Sequence, residues 1–417
     1  MTSAIILSIG DELVLGQTVD TNSAWLSREL ATIGIRIAAH ATVPDDQPLI
    51  ERAIRSAVVD CDVLLISGGL GPTEDDLTRQ ALAGVLGVPL EMDDDALHHL
   101  TAFFRNLNRE MADSNRIQAM RPRGTMMIDN TCGTAPGISA ALGSCRIFVV
   151  PGVPKEMKAM FARDILPVLR QSGGGAAIAS RTLHTFGQGE SDVAEMLGDL
   201  MKRGRNPSVG TTVAGGMVSL RVNAYFKSPE KAGVELEKTS VACRERLGNL
   251  IYGQDDETLP GIVAGLLETS GKKVATAESC TGGLLAKYLT DIAGSSRYFT
   301  HGWVTYSNEA KTQLLGVSPM TLQEHGAVSE AVVVEMATAA RERGGADLAV
   351  AISGVAGPEG GTATKPVGTV CIALSHPGGV ERRTFRFSGD REFIRDRSAK
   401  MALTMIRFHL LERMMPF

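Results

Sequence analysis

The run Val63–Ser67 reads VLLIS, carries no charge, and passes straight into Gly68-Gly69-Leu70-Gly71. A strand that is apolar on both faces must be covered on both faces, as parallel strands under helices are. The surrounding sequence supplies the helices. Ala4–Ile9 is a short apolar run ending at Gly10. Leu26, Leu30 and Ile33 then recur at helical spacing before Gly34. Ile35–Thr42 reads as a second strand, and Leu49, Ile50, Ala53, Ile54 and Ala57 form another helix face. Asp76–Leu86 reads as helix, and Arg146–Val150 as a strand stopped by Pro151-Gly152. Alternating strands and helices predict a parallel sheet between helical layers.

The pattern changes after Gln171–Gly175 (QSGGG), a linker candidate. Ser208–Val213 and Met217–Phe226 flank Gly215-Gly216, which predicts a hairpin with helices beside it. A polar stretch, 253–259, closes that module. Alternation then resumes: helix 259–270, strand Lys273–Ala277, helix 284–291, strand Phe299–Ser307 and helices near 309–315 and 329–343. Strands at Leu348–Ser353, 367–375 and 380–387 follow, and a last helix starts near Arg391. The expected fold class is α/β: two three-layer α/β/α domains, 1–170 and 258–417, joined by a small α+β module over 176–252. A length of 417 residues suits two or three domains.

Composition excludes several classes of function. The net charge is −5, against the basic excess of a nucleic-acid-binding protein. No apolar run approaches the ~18 residues of a membrane span, and Met1–Gly10 lacks the basic start of a signal peptide. Six cysteines are scattered without a C-x-x-C pair, as in a reducing cytoplasm. His301, His325 and His376 have no second His or Cys at ligand spacing. His98 and His99 are adjacent and point to different sides of a helix, so no histidine metal site is expected.

Three loops at predicted strand ends in the first domain carry glycines and carboxylates. One holds Gly10-Asp11-Glu12-Leu13 and Asp20-Thr21-Asn22, one Val43-Pro44-Asp45-Asp46, and one runs from Gly68 to Thr78. Ligands of open α/β sheets sit beyond the carboxyl ends of the strands. Glycines there admit a phosphate to the backbone, and carboxylates suit a divalent cation bridging its oxygens. The plainer alternative makes Asp20 and Asp76 helix N-caps and the glycines turn residues.

The last domain has a sharper set. Glu278-Ser279-Cys280-Thr281-Gly282-Gly283 follows a strand and opens a helix, where N–H groups stabilise developing negative charge. A serine nucleophile needs a base. Lys311, one turn beyond Thr305-Tyr306-Ser307-Asn308, serves if desolvated. Ser279, Lys311 and Tyr306 thus suit acyl transfer at an amide carbon. Cys280 is a rival nucleophile, with a pKa that a helix N-terminus would lower. The plainer alternatives make Ser279 a helix cap and Lys311 a solvated surface lysine. Ser353-Gly354-Val355-Ala356-Gly357 supplies another backbone cradle, and Arg391 and Arg395 share a helix face suited to a phosphate.

The Gly-Gly-x-Gly-x-Thr-x-x-Asp pattern from Gly68 to Asp76 resembles molybdopterin-binding domains of the MogA/MoeA type. Together with Gly10–Leu13, Asp20–Asn22 and Pro151-Gly152-Val153-Pro154-Lys155-Glu156-Met157, it more closely resembles the CinA family. Glu278–Gly283, Thr305–Lys311, Ser353–Gly361 and Gly389–Arg391 resemble that family's PncC-type C-terminal domain. The resemblance implies a MoaB/Mog-like N-terminal domain that is a metal-dependent ADP-ribose pyrophosphatase. Its site would comprise Asp11, Asp20, Asn22, Asp45, Gly68, Gly69, Gly71, Thr73 and Asp76, with Asp11, Asp45 and Asp76 assigned to a divalent metal.

It also implies a metal-independent C-terminal deamidase converting nicotinamide mononucleotide (NMN) to nicotinate mononucleotide and ammonia. Ser279 would be the nucleophile, Lys311 the base and Tyr306 the orienting or relay group. Thr281, Gly282, Gly283, Ser353, Gly354 and Gly357 would line the site, with an oxyanion hole near Thr281 or Gly354. Arg391 would hold the nucleotide phosphate. The middle module resembles a KH-like insert, but Gly187-Gln188-Gly189-Glu190 is not a nucleic-acid-binding G-x-x-G loop. The expected partners are small nucleotides (NMN and ADP-ribose), without membrane or nucleic acid, in a cytoplasmic homodimer. The rivals are a molybdopterin-binding enzyme and a non-catalytic competence or DNA-damage accessory protein.

Overall fold

A computed structural model describes residues 2–172 and 177–417. Residues 173–175 of the expected linker lie outside the described residues. Two compact units emerge: residues 1–179 with 223–236, and residues 180–222 with 237–417. No helix among the described residues is long and apolar enough to cross a membrane.

In the first unit β1 (Ser3–Ile9), β2 (Arg36–Val43) and β3 (Val63–Ser67) precede a small antiparallel ribbon of β4 (Leu90–Met92) and β5 (Met120–Pro122). β6 (Met126–Ile128), β7 (Gly137–Leu142) and β8 (Cys145–Val150) complete the set. The main sheet runs β2-β1-β3-β8-β7-β6. Its first four strands are parallel and its last two antiparallel. β3 is buried along its whole length, as its uncharged sequence requires.

The helices are α1 (Asp11–Val14), α2 (Thr21–Thr32), α3 (Gln47–Asp60), α4 (Thr78–Leu86), α5 (Asp94–Asn106), α6 (Pro154–Met160) and α7 (Leu166–Ser172). Ile50, Ile54 and Leu82 pack with Leu64 and Ile66 in one core. Leu26, Leu30 and Phe161 pack with Val63 and Leu65 in another. The alternation of side chains along β3 therefore feeds two cores, one per face of the sheet.

The middle module contains β9 (Ala177–Phe186), α8 (Glu190–Leu197), β10 (Ser208–Ala214), β11 (Met217–Phe226), α9 (Pro229–Leu247) and β12 (Ile251–Gln254), with sheet order β10-β11-β9-β12. Gly215 (φ 55°) and Gly216 (φ 72°) make the tight turn between β10 and β11, the geometry a two-residue hairpin demands.

The last part is built from α10 (Leu259–Ser270), β13 (Val274–Glu278), α11 (Leu284–Thr290), β14 (Phe299–Val304), α12 (Asn308–Leu315), α13 (Pro319–His325) and α14 (Glu330–Arg343). β15 (Leu348–Gly354), β16 (Thr369–His376), β17 (Gly379–Arg386) and α15 (Arg391–Leu410) complete it. Its sheet runs β14-β13-β15-β16-β17, parallel through β15 and antiparallel thereafter. The buried Arg407 of α15 donates to the carbonyls of Asn249 and Ile251, both at 2.8 Å. Arg397 stands over the rings of Phe186, Phe387 and Phe393 at 5.6–6.0 Å.

Candidate functional site

β13 and β14 pair in parallel with Glu278 opposite Val304, and Thr305 N–H donates to Glu278 C=O at 2.8 Å. This register sets Glu278-Ser279 beside Thr305-Tyr306. α12 then starts under the Ser307 cap, whose hydroxyl accepts from Ala310 N–H. Helical side chains lean toward the N-terminus, so Lys311 reaches back to the strand ends. Its Nζ lies 3.2 Å from Ser279 Oγ, 3.0 Å from Thr305 C=O and 3.3 Å from Tyr306 C=O. Lys311 is 1% exposed and is no solvated surface lysine. Burial lowers its pKa, with Cys280 and Glu309 pulling weakly the other way. Desolvation favours the neutral amine, the form that accepts a proton.

Ser279 is not a helix cap. α11 begins at Leu284, and its N-cap is Gly283. The N–H groups expected to serve a ligand there are already used: the buried Glu278 carboxylate accepts from Gly283, Leu285 and Ala286 N–H at 2.8–3.0 Å. The N–H groups of Cys280 and Thr281 donate to no backbone carbonyl among the described residues, and they follow the serine directly. Gly282 (φ 59°) and Gly283 (φ 92°) give the turn its shape. Thr281 is fully buried, and its hydroxyl has no partner among the described residues. Cys280 is buried, and that burial pushes its thiol up to about 12. That burial works against the thiolate that the rival nucleophile needs.

The other expected residues gather at the same strand ends. Arg391 opens α15 and donates to Gly357 C=O (2.7 Å) and Tyr306 Oη (2.9 Å). Tyr306 itself is 57% exposed and touches Lys311 through its backbone carbonyl, not its ring. Gly354 faces Cys280: a Cβ there would lie 3.1 Å from its sulfur. Ser353 donates to Ala327 C=O at 2.7 Å. Glu278, without an expected role, and Arg395, expected beside Arg391 on a face suited to a phosphate, complete the arrangement. Glu278 braces the turn from within, and Arg395 grips it from outside, donating to the carbonyls of Cys280 (3.1 Å) and Thr281 (2.7 Å). The one-turn spacing from Arg391 to Arg395 was the sequence signal for the latter.

In the first unit a cavity of about 410 Å³ lies over the strand ends, lined by Gly10, Glu12, Asp45, Gly68–Thr73, Asp75, Asp76 and Glu156 among others. Gly68 (φ 112°) admits no side chain, because a Cβ would run into Ile9 C=O. Asp76 caps no helix. Its carboxylate accepts from Gly71 N–H (2.6 Å), Thr73 N–H (2.9 Å) and the Thr73 hydroxyl, so it braces the loop. Fully buried Arg79 holds the loop from beneath through the carbonyls of Leu70 and Gly71. Burial lowers its pKa to about 10.

Asp20 is the N-cap of α2 and accepts from Ser23 N–H and from the hydroxyls of Ser8 and Ser23. Burial would raise its pKa, but these bonds bring it below the usual value. Asn22 ties Ser67 to Gly152 C=O. Asp11 and Asp45 exchange backbone N–H bonds with each other's carboxylates, at 2.9 and 3.2 Å. Asp45 is raised by burial and by the charges of Asp11, Glu12 and Asp75. The expected trio of Asp11, Asp45 and Asp76 does not close into three ligand atoms within 4.8 Å, because both Asp76 oxygens serve the loop.

Comparison with known proteins matches residues 5–171 to the probable molybdopterin binding domain, 180–253 to the damage-inducible protein CinA KH domain and 256–410 to the CinA C-terminal domain. A putative competence-damage inducible protein of Symbiobacterium thermophilum is 42% identical, over 98% of this chain and 99% of its own length. A CinA-like protein of Geobacter sulfurreducens is 41% identical, over 97% and 98%. Among solved structures, the competence/damage inducible protein CihA from Agrobacterium tumefaciens is 43% identical over 37% of this chain and 93% of that one, with a TM-score of 0.36. With relatives this similar along nearly its full length, and all three domain types in order, the chain belongs to the CinA family.

Proposed function

We propose that the C-terminal part of this chain is an amidohydrolase that converts NMN to nicotinate mononucleotide and ammonia. The observation that carries this is the buried Lys311 amine, 3.2 Å from Ser279 Oγ. Lys311 in its neutral form takes the Ser279 proton as Oγ attacks the carboxamide carbon. The N–H groups of Cys280 and Thr281 would receive the oxyanion. The Lys311 ammonium then gives its proton to the departing nitrogen, ammonia leaves, and an acyl-serine remains. Water, deprotonated by Lys311, releases the carboxylate and restores Ser279. Arg391 is the phosphate contact, and Tyr306 orients it through the 2.9 Å bond to its guanidinium.

For the N-terminal domain we propose metal-dependent hydrolysis of the ADP-ribose diphosphate. The donor set over the cavity is oxygen only, and the like charges around Asp45 leave negative potential for a hard cation to neutralise. Asp45 and Glu12 would hold it, and Asp11 would position Asp45. When bound, such an ion supplies charge neutralisation on the diphosphate and an activated water. Asp76 and Arg79 keep the Gly68–Asp76 loop open to the phosphates.

The deciding experiment incubates the purified chain with NMN and with nicotinamide riboside, with and without EDTA. Ammonia release from NMN that survives EDTA is expected. In Arg391→Ala the loss on NMN should be about 10- to 150-fold, the worth of a charge-assisted contact, with the riboside nearly unaffected. Absence of ammonia from both substrates overturns the deamidase reading and leaves the molybdopterin-binding and accessory readings.

A further inference from the structure

His376 ends β16, Glu381 lies in β17, and His409 lies in the last turn of α15. They are up to 33 positions apart in sequence, and the fold brings them together. One ligand atom from each lies within 4.8 Å of the other two, the one such group among the described residues. Glu381 Oε1 is 3.0 Å from His409 Nδ1 and 3.8 Å from His376 Nε2. The two rings are 4.4 Å apart between centroids, and both side chains are only 18% exposed. Tetrahedral zinc, with bonds of about 2.0–2.2 Å, needs ligand atoms about 3.4 Å apart. The observed separations straddle that value.

We propose that His376, Glu381 and His409 form a binding site for a divalent transition metal of zinc type, tying the β16–β17 hairpin to the end of α15. Two imidazoles and a carboxylate suit Zn²⁺ and its neighbours over Mg²⁺ or Ca²⁺. None of the three residues takes part in the Ser279–Lys311 arrangement, so this inference stands apart from the proposed deamidation.

A neutral ring is the form that coordinates, and the charges of Arg341 and Lys272 also reach His376. Gly378 N–H donates to His376 Nδ1 at 3.1 Å, which places the ring proton on Nε2. Coordination through Nε2 moves that proton to Nδ1, so the Gly378 bond is given up. The turn can yield, because Gly379 sits at φ 141°, where only glycine moves freely. Arg341 and Lys272 oppose a dication, and Glu381 supplies the compensating charge.

The test titrates the full chain with Co²⁺ alone and reads the visible spectrum, then repeats thermal melting with Zn²⁺ and with Mg²⁺. Wild type should give the intense bands of tetrahedral Co²⁺, and in Asp45→Ala, where the oxygen-donor site is disabled, Zn²⁺ but not Mg²⁺ should raise the melting temperature. His376→Ala and His409→Ala should lose both effects. Glu381→Gln, at an exposed position that does not endanger folding, should weaken them. Asp45→Ala, which alters only the oxygen-donor site of the first unit, should retain them. Weak octahedral bands in wild type, or intense bands surviving in the histidine variants, overturn the proposal.

Discussion

A lysine amine buried beside a serine hydroxyl makes two different properties depend on one proton. If the pair is the catalytic dyad, Ser279→Ala and Lys311→Ala should each lower NMN deamidation by about 10³-fold or more, and the double variant little further, because the two act as one unit. Cys280→Ala should retain activity, its thiol being kept protonated by burial. The pH dependence has a definite sign. Deamidation kcat/KM should rise through the depressed Lys311 pKa, below 10.5, and that limb should vanish in Lys311→Ala. The unfolded chain holds the Lys311 proton more tightly than the folded one. The associated stability is thus fully present above 10.5 and is lost as pH falls through the folded pKa. Chemical denaturation across that window should show a slope in wild type that is missing in Lys311→Met. Ser279 and Lys311 were legible because a strand-to-helix turn and a helix start announce themselves locally. Glu278 and Arg79 are not, and Arg395 is legible only as a phosphate candidate, because each acts on backbone that only the fold brings near.

The same distinction holds for whole elements. β3 and β13 are readable from sequence because burial on both faces removes all ambiguity. β9 is not: its AIASRTLHTF sequence mixes polar and apolar residues, and its register with β12 is set by residues about seventy positions later. The last two strands of each sheet, β7 and β6 and β16 and β17, pair antiparallel, where βαβ alternation alone predicts parallel strands. α13 is about two turns under a Pro319 start, too short to show a periodic face. At the site the decisive element is α11, whose first turn is satisfied by Glu278 from the end of β13. Hydrogen bonds to a charged group are worth about 1.5–3 kcal/mol each. Glu278→Gln keeps the shape but loses the charge and turns a donor toward a donor. It should destabilise by at least about 2 kcal/mol and lower kcat more than it raises KM, because it loosens the turn that aims Ser279. Equal kcat in a destabilised variant would show that Glu278 serves folding alone.

At the scale of the molecule, each unit places its loops beyond the carboxyl ends of a twisted sheet, yet the donor chemistry differs. Around Asp45 the groups are carboxylates, and burial together with the charges of Asp11, Glu12 and Asp75 raises Asp45 itself; around Ser279 they are an amine, a hydroxyl and guanidinium groups. The first set needs a cation before it meets a diphosphate, whereas the second already carries the charge that a nucleotide phosphate requires. If each set acts as proposed, the two activities should separate cleanly. EDTA and Asp45→Ala should each reduce ADP-ribose hydrolysis by about a hundredfold or more, as loss of metal charge stabilisation does, with NMN deamidation unchanged. Ser279→Ala should do the reverse. Both rates measured on one preparation of each variant, with melting curves to confirm folding, decide the matter. A folded Asp45→Ala protein that loses both activities would mean that one set of groups governs both reactions.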